Sequence, residues 1–358
     1  MDLEKATRAE SMRRVWILSA ASGVTVLLAV FLLRENATVL DVGQKKIFPD
    51  FQAEKVVGIR ISGADTEVNL SLGEEGWQVD ERAGYPADSR RALSLVRKIW
   101  DLRPTQLLSV PSEELGRFQL LVGQGEGPPD QMATQLEFLD SGGNVLACLW
   151  LGKRRVQESP DGNPGRAVGR YVTTDFKTVA LVPETFNEAA PAPALWLDPR
   201  FLQIEDPVAI SLSGTTPEKN WKIVLREGQW QFEEGHSENS PDPTKIHQIT
   251  EAWKLPYFQD IKSVPSDFES LEKATIESAG GIVYTLEFGA GDGVTRPVRI
   301  SISANGETDS RDHSAESSEI SEKSQAELES AQIFQDKVFR VPEPLTDTLA
   351  RDKSTLLP

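Results

Sequence analysis

The residues able to do chemistry in this chain are few and scattered. Three histidines occur, His236, His247 and His313, and no two stand at the spacing of zinc ligands. His236 sits among Gly, Ser, Asn and Pro, His247 on the polar side of a helical stretch, and His313 in a run of acids and serines. Ser270-Leu271-Glu272-Lys273 matches the pattern in which a lysine activates a serine nucleophile, but a chain with many Ser and Lys residues produces such a match by chance. The lone Cys148 lies inside the apolar stretch 145–151, where a thiol is expected to be buried and inert. Gly123-Gln124-Gly125-Glu126-Gly127 has the glycine content of a phosphate cradle. It runs into Pro128-Pro129 rather than a helix N-terminus and therefore reads as a surface loop. No Gly-x-x-x-x-Gly-Lys-Ser/Thr and no Gly-x-Ser-x-Gly is present, so neither a P-loop ATPase nor an α/β-hydrolase elbow is encoded. The 55 acids leave room for a carboxylate pair, yet spacing alone singles none out. No catalytic, cofactor-binding or metal-binding residue is assigned, no cofactor is implied, and an enzyme is not expected.

The elements that would position any site form a repeated text. Ser109-Val110-Pro111-Ser112 recurs as Ser263-Val264-Pro265-Ser266. Ile59, Ile61 and Gly63 line up with Ile210, Leu212 and Gly214, and Trp77 and Trp100 with Trp230 and Trp253. Leu136-Glu137-Phe138 pairs with Leu286-Glu287-Phe288, and Val182-Pro183-Glu184 with Val341-Pro342-Glu343. Five blocks in one order predict a tandem duplication whose period is too long for a solenoid, so each copy should be a domain. The expected organisation is a head at 1–14, an apolar helix at 15–33, a linker at 34–47, and a first domain at 48–188. A linker at 189–199, a second domain at 200–351 and a tail at 352–358 follow.

Each copy should be α+β with mostly antiparallel strands. Alternation around Ile59, Leu70 and Trp77 in the first copy, and around Ile210, Ile223 and Trp230 in the second, predicts an opening three-stranded meander. Ala92, Leu95, Val96, Ile99 and Trp100 then recur at helical spacing behind Asp88 or Ser89 as cap, matched by Ile246, Ile249 and Trp253. Ser112 is expected to cap a short helix, and another short helix is expected from Glu184. Strands fill the second half of each copy. Residues 153–169, rich in Gly, Pro and Arg, read as the counterpart of 306–332, an acidic serine-rich insertion expected to be mobile or disordered. The repeated tryptophans could form sugar-binding platforms, but the apolar periodicity around all four predicts core anchors.

These marks resemble a family catalogued as domain of unknown function 4340. The similarity is carried by the 54–59 strand, the Gly76-Trp77 turn, and the Tyr85-Pro86-Ala87-Asp88 lead-in to the helix. The 109–115 stretch, the Leu151-Gly152 strand end and Asp198-Pro199-Arg200-Phe201-Leu202 complete it. The resemblance covers nearly everything after residue 33 and brings no active-site residues. It implies a membrane-anchored envelope protein, of a kind that accompanies ABC-type transport or gliding-motility components.

Residues 15–33 are 19 uncharged residues, about 28 Å as a helix, and long enough to span a bilayer core. The run is longer than a cleaved signal's apolar region and lacks a small-x-small site, so an uncleaved anchor is expected. Trp16 suits the membrane interface, and the pair Arg13-Arg14 favours a cytoplasmic N-terminus. The expected location is a bacterial inner membrane, single-pass, with the body extracytoplasmic. The 324 residues from 35 to 358 carry 33 basic and 52 acidic groups, a charge that repels nucleic acid and anionic lipid. Such a body is expected to lack a basic surface run. The function these features lead us to expect is a non-enzymatic accessory or scaffold protein serving envelope partners, such as transport components. A carboxylate-dependent envelope hydrolase and a small-ligand-binding module are the alternatives.

Overall fold

A computed structural model describes residues 45–123, 127–158, 165–233, 240–263, 268–304, 328 and 331–358. The membrane segment 15–33, the SVPS residues Val264–Ser266 and nearly all of the acidic insertion 306–332 lie outside the described residues. Among the described residues no helix is long and apolar enough to cross a membrane.

The fold has mixed helix and strand content, mostly strands in two antiparallel sheets. In chain order come β1 (Gly58–Ser62), β2 (Glu67–Gly73), β3 (Gly76–Val79), β4 (Tyr85–Pro86), α1 (Ser89–Trp100) and β5 (Gln106–Ser109). β6 (Thr134–Leu139), β7 (Val145–Gln157), β8 (Arg166–Thr173) and β9 (Thr178–Val182) follow. Then come β10 (Pro207–Ser213), β11 (Trp221–Arg226), β12 (Gln229–Phe232), α2 (Pro243–Lys254) and β13 (Asp260–Ser263). The chain ends through β14 (Glu272–Ser278), β15 (Ile282–Phe288), β16 (Thr295–Ala304), β17 (Lys337–Pro342) and the single turn α3 (Glu343–Thr346).

The residues gather into two compact units. The first takes the residues up to Glu54, Arg97–Gln135 and Ala147–Asn187. Its strands run β7-β8-β9-β5. Leu151, Val172, Ala180 and Leu107 lie directly opposite one another across the four strands and so share one face. On the other face Val179 packs with Val110, Leu115 and Leu120, and Trp150 meets Phe176 edge-on. Gly152 is fixed there by space: a Cβ would lie 2.3 Å from the carbonyl oxygen of Phe118. The buried Arg170 donates to the carbonyls of Gly152, Phe186 and Thr185. Phe186 takes the left-handed conformation at φ 51°, so no helix begins at Glu184 as the sequence led us to expect. Nor does Ser112 cap a helix. It lies inside the 3-10 turn Ser112–Phe118, and Pro111 occupies the cap position without a side-chain bond.

The second unit takes Lys55–Val96, Leu136–Leu146 and Glu188–Pro358. One set of its strands runs β4-β3-β2-β1-β6, and an eight-stranded sheet runs β12-β11-β10-β14-β15-β16-β17-β13. The β11–β12 hairpin turns through Glu227 and Gly228, both left-handed, the geometry of a type I′ turn. Helix α1 begins at Asp88, whose carboxylate accepts from Arg90 N and Arg91 N. Helix α2 begins at Asp242, which accepts from Thr244 N, with Pro243 at the first helical position. The 189–199 stretch is tied down: Trp196 is fully buried, its indole donates to Ala190 O, and the Arg91 guanidinium lies over its ring. Tyr85, Phe201, Phe258, Phe334 and Phe339 form one aromatic cluster.

Strand order gives the internal comparison. The series β3-β2-β1-β6 in the second unit and β7-β8-β9-β5 in the first run in the same order as β12-β11-β10-β14 and β15-β16-β17-β13. This order corrects two alignments made from the sequence. Leu136–Phe138 lies in β6 but Leu286–Phe288 lies in β15, whose counterpart is β7. An apolar-polar-apolar triplet recurs in any half-buried strand and cannot fix the register of a repeat. The error propagates: 153–169 runs from the end of β7 into the start of β8, whereas 306–332 falls between β16 and β17 in the chain. They are not counterparts.

The tryptophans divide. Trp77 and Trp253 are buried as expected. Trp100 is 50% exposed at the end of α1, where Ile99 takes the inward position, and Trp230 is only half-buried. One helical step rotates a side chain by about 100°, so Trp100 and Trp253 do not share a helical phase.

Candidate functional site

Among the described residues the sequence candidates do not come together at one place. His247 is exposed on α2, and His236 and His313 lie outside the described residues. The Ser270 hydroxyl donates to the carbonyl of Glu272, and Lys273 belongs to β14. Cys148 is half-buried in β7 and accepts a hydrogen bond from Gln135. Residues 124–126 of the glycine-rich stretch are outside the described residues. Among the described residues, no group of three or more His, Cys, Asp or Glu could hold a metal ion.

One carboxyl is unusual. Burial raises the pKa of Glu184 above the ordinary glutamate value; its own backbone N–H and Lys98 oppose the rise, and Asp101 adds to it. Its Oε2 is buried without a hydrogen-bond partner. Tyr85 is raised further, mainly by burial, and its hydroxyl donates to Arg200 O at 3.0 Å. That hydroxyl is satisfied where the ring packs edge-on against Phe258 and Phe339.

Three hollows among the described residues bear on a site. The first, about 410 Å³, lies in the first unit over the face that carries Leu107, Leu149, Val172 and Ala180. The second, about 550 Å³, is lined by Trp230, Leu225, Asp206, Glu205, Glu251 and Lys254. The third, about 370 Å³, lies against Tyr85, Tyr284, Phe201 and Phe334, with Asp198 and Arg200 paired at its side. The carboxylate of Asp198 is held below its ordinary range, because the bonds from Arg200 outweigh the opposing effect of burial.

One exposed arrangement of charge is an arm. β7 continues past Leu151 to Gln157 and β8 returns from Arg166, where the sequence suggested a loop. Lys153, Arg154, Arg155 and Arg166 are all exposed on it. Val156 and Val168 are exposed beside them, at 53% and 40%. None of the four cations is paired with a carboxylate among the described residues. The register Gln157↔Arg166 brings Arg166 back toward the Lys-Arg-Arg run across the strands. A basic surface run therefore exists, contrary to what net charge suggested. A short hairpin of like charges, held by its ladder, costs repulsion that an anionic partner would relieve. Arginine forks bind carboxylate and phosphate in two-point geometry, and the valines add apolar contact. The sequence signal was available in Lys153-Arg154-Arg155, but only cross-strand pairing adds Arg166.

No protein-family model matches the chain, and comparisons with curated proteins and with solved structures find no match either.

Proposed function

We propose that this chain is a membrane-anchored, non-enzymatic accessory or scaffold protein that presents two related α+β domains to a partner in an envelope complex. The observation that carries this reading is the β7–β8 arm: four cations without a carboxylate partner among the described residues, and two exposed valines, on a chain with a formal charge of −17. The partner it fits is a protein with an acidic, partly apolar face, because such a face neutralises the arm and covers Val156 and Val168. The shared order of the matching strands and the SVPS and VPE blocks support a duplication with domains at 48–188 and 200–351. The uncharged run 15–33 supports an anchor, with the body on the extracytoplasmic side of a bacterial inner membrane. The resemblance to the domain of unknown function 4340 family supports an envelope setting and a partner among ABC-type transport components.

The test is affinity purification of the tagged full-length chain from its own membranes after mild solubilisation, with wild type beside Lys153→Glu/Arg154→Glu/Arg155→Glu. A stoichiometric membrane partner with an acidic exposed domain, lost in the triple variant while the fold is kept, is the expected result. Recovery of the same partner in equal amount with the triple variant would remove the arm from the interface. Purification of wild type with no stoichiometric partner would sink the scaffold reading.

A further inference from the structure

The first hollow has a composition that differs from the rest of the molecule. Leu149 and Val172, both fully buried, and Ala180 at 6% exposure lie beneath it, and its accessible apolar lining is Leu107 with the half-buried Ile47. Leu107 of β5, 49% exposed, forms one wall. Among the described residues, the polar groups that line it are Lys45, Lys46 and three threonines, with no carboxylate. In a chain with 55 acids and 38 bases, a described lining of two cations and no anion favours an anionic ligand.

The polar groups are also unequally engaged. Lys46 lies 3.7 Å from the centre of the Trp100 ring and 3.8 Å from Asp101, so its charge is partly balanced. Thr173 donates its hydroxyl to Thr178 O and closes the β8–β9 turn. Lys45 is exposed, and neither it nor the hydroxyls of Thr174 and Thr178 has a hydrogen-bond partner among the described residues. A cation and two free hydroxyls thus border an apolar lining. That is the division of a site for a molecule with an anionic, hydrogen-bond-accepting head and an apolar tail.

We propose that this hollow binds one single-chain anionic amphiphile, its tail against Leu107 and Ile47 and its head at Lys45, Thr174 and Thr178. The volume of about 410 Å³ lies near the lower end of the roughly 300–1,000 Å³ range of ligand pockets and fits one chain rather than two. The head is a carboxylate or a phosphate ester; both accept from an ammonium and from hydroxyls. The inference does not depend on the anchor or on the arm.

The experiment uses the full-length chain in nanodiscs of zwitterionic phosphatidylcholine and a twelve-carbon carboxylate carrying a diazirine near the end of its tail. After photolysis, mass spectrometry should place the adducts on peptides containing Ile47, Leu107, Leu149 or Val172. Unlabelled dodecanoate or lysophosphatidylglycerol should suppress them, whichever competes better naming the head group. Dodecylamine should compete at least about tenfold more weakly, a factor equal to roughly 1.4 kcal/mol. Lys45→Glu should weaken labelling by a similar factor, and Thr174→Trp, which crowds the mouth, should abolish it, both with an unchanged melting temperature. Equal competition by dodecylamine would overturn the proposal, as would adducts confined to other peptides. Absence of adducts would overturn it too, the hollow then being closed to ligand by another part of the chain or by a second copy.

Discussion

Arg82 and Asp260 stand 178 residues apart and meet in a two-point ion pair, Nε to Oδ1 at 2.5 Å and Nη2 to Oδ2 at 3.0 Å. Arg82 ends the 3-10 turn Asp80–Arg82 just before β4, and Asp260 opens β13, so the pair joins the first meander to the edge of the eight-stranded sheet. Both side chains are three-quarters or more covered, at 21% and 25% exposure. Tyr85, three residues on, adds edge contacts to Phe258 and Phe339. Charge and aromatic packing therefore fasten the same place.

The pair should matter more than a surface salt bridge. Fork geometry and partial burial put its coupling at about 1–3 kcal/mol, against the few tenths common for exposed pairs. A double-mutant cycle with Arg82→Ala and Asp260→Ala, read by urea unfolding, measures this directly. A coupling under a few tenths of a kcal/mol would mean that the aromatic cluster holds this place alone.

Trp253→Ala and Trp100→Ala should part company. Trp253 is 1% exposed and its indole donates to Thr348 Oγ1 at 2.9 Å, so truncation removes packing and this hydrogen bond, while the half-buried Thr348 hydroxyl keeps its bond to Leu345 O. The expected cost is about 3–5 kcal/mol. Trp100 is half in solvent and contacts Lys46, and its loss should cost under about 1 kcal/mol. Equal destabilisation in chemical unfolding would mean that Trp100 is buried in solution.

These tryptophans also show what was legible in the sequence. Helix α1 followed from Ala92, Leu95, Val96 and Ile99, and its cap from Asp88, because spacing and local chemistry decide both. The meander strands followed from alternation in the same way. Trp100 was misplaced because a bulky aromatic at a helix end satisfies apolar periodicity whether or not it turns inward. The Leu-Glu-Phe match failed because strand patterns repeat within a domain as well as between domains. Both candidate sites lie beyond local pattern: the arm needs Arg166 paired across strands, and the hollow brings Lys45 together with Leu107, Leu149 and Thr178.

Arg170 should be difficult to replace. It is 8% exposed, and its guanidinium donates to Gly152 O at 2.8 Å and to Phe186 O at 3.2 Å. Arg170→Met keeps much of the volume but leaves those carbonyls without their donors, at a cost of about 2–4 kcal/mol. Arg170→Lys should recover only part of this, since an ammonium cannot span the same carbonyls as a planar fork. A melting temperature for Arg170→Lys equal to wild type would show that charge alone suffices.

Glu184 gives a pH signature whose sign can be worked out. Burial raises its folded pKa above the ordinary 4.5, so the folded chain keeps this proton to a higher pH than the unfolded chain does. Below about 4.5 both states are protonated and the residue carries no penalty. As pH rises from there toward the folded value, the unfolded chain releases its proton first and stability falls. Above the folded value both are ionised, and the penalty stays constant. Glu184→Gln removes the ionisation and should therefore stabilise the protein at pH 7–8 and make little difference at pH 4. The residue is only partly buried, so solvent screening holds the gain to less than about 1 kcal/mol. Paired urea titrations of wild type and Glu184→Gln at pH 4 and pH 7.5 measure the difference between the two gains. A larger gain at pH 4 than at pH 7.5 would reverse the sign and show that the carboxylate is stabilised in the fold, with Lys98 outweighing burial.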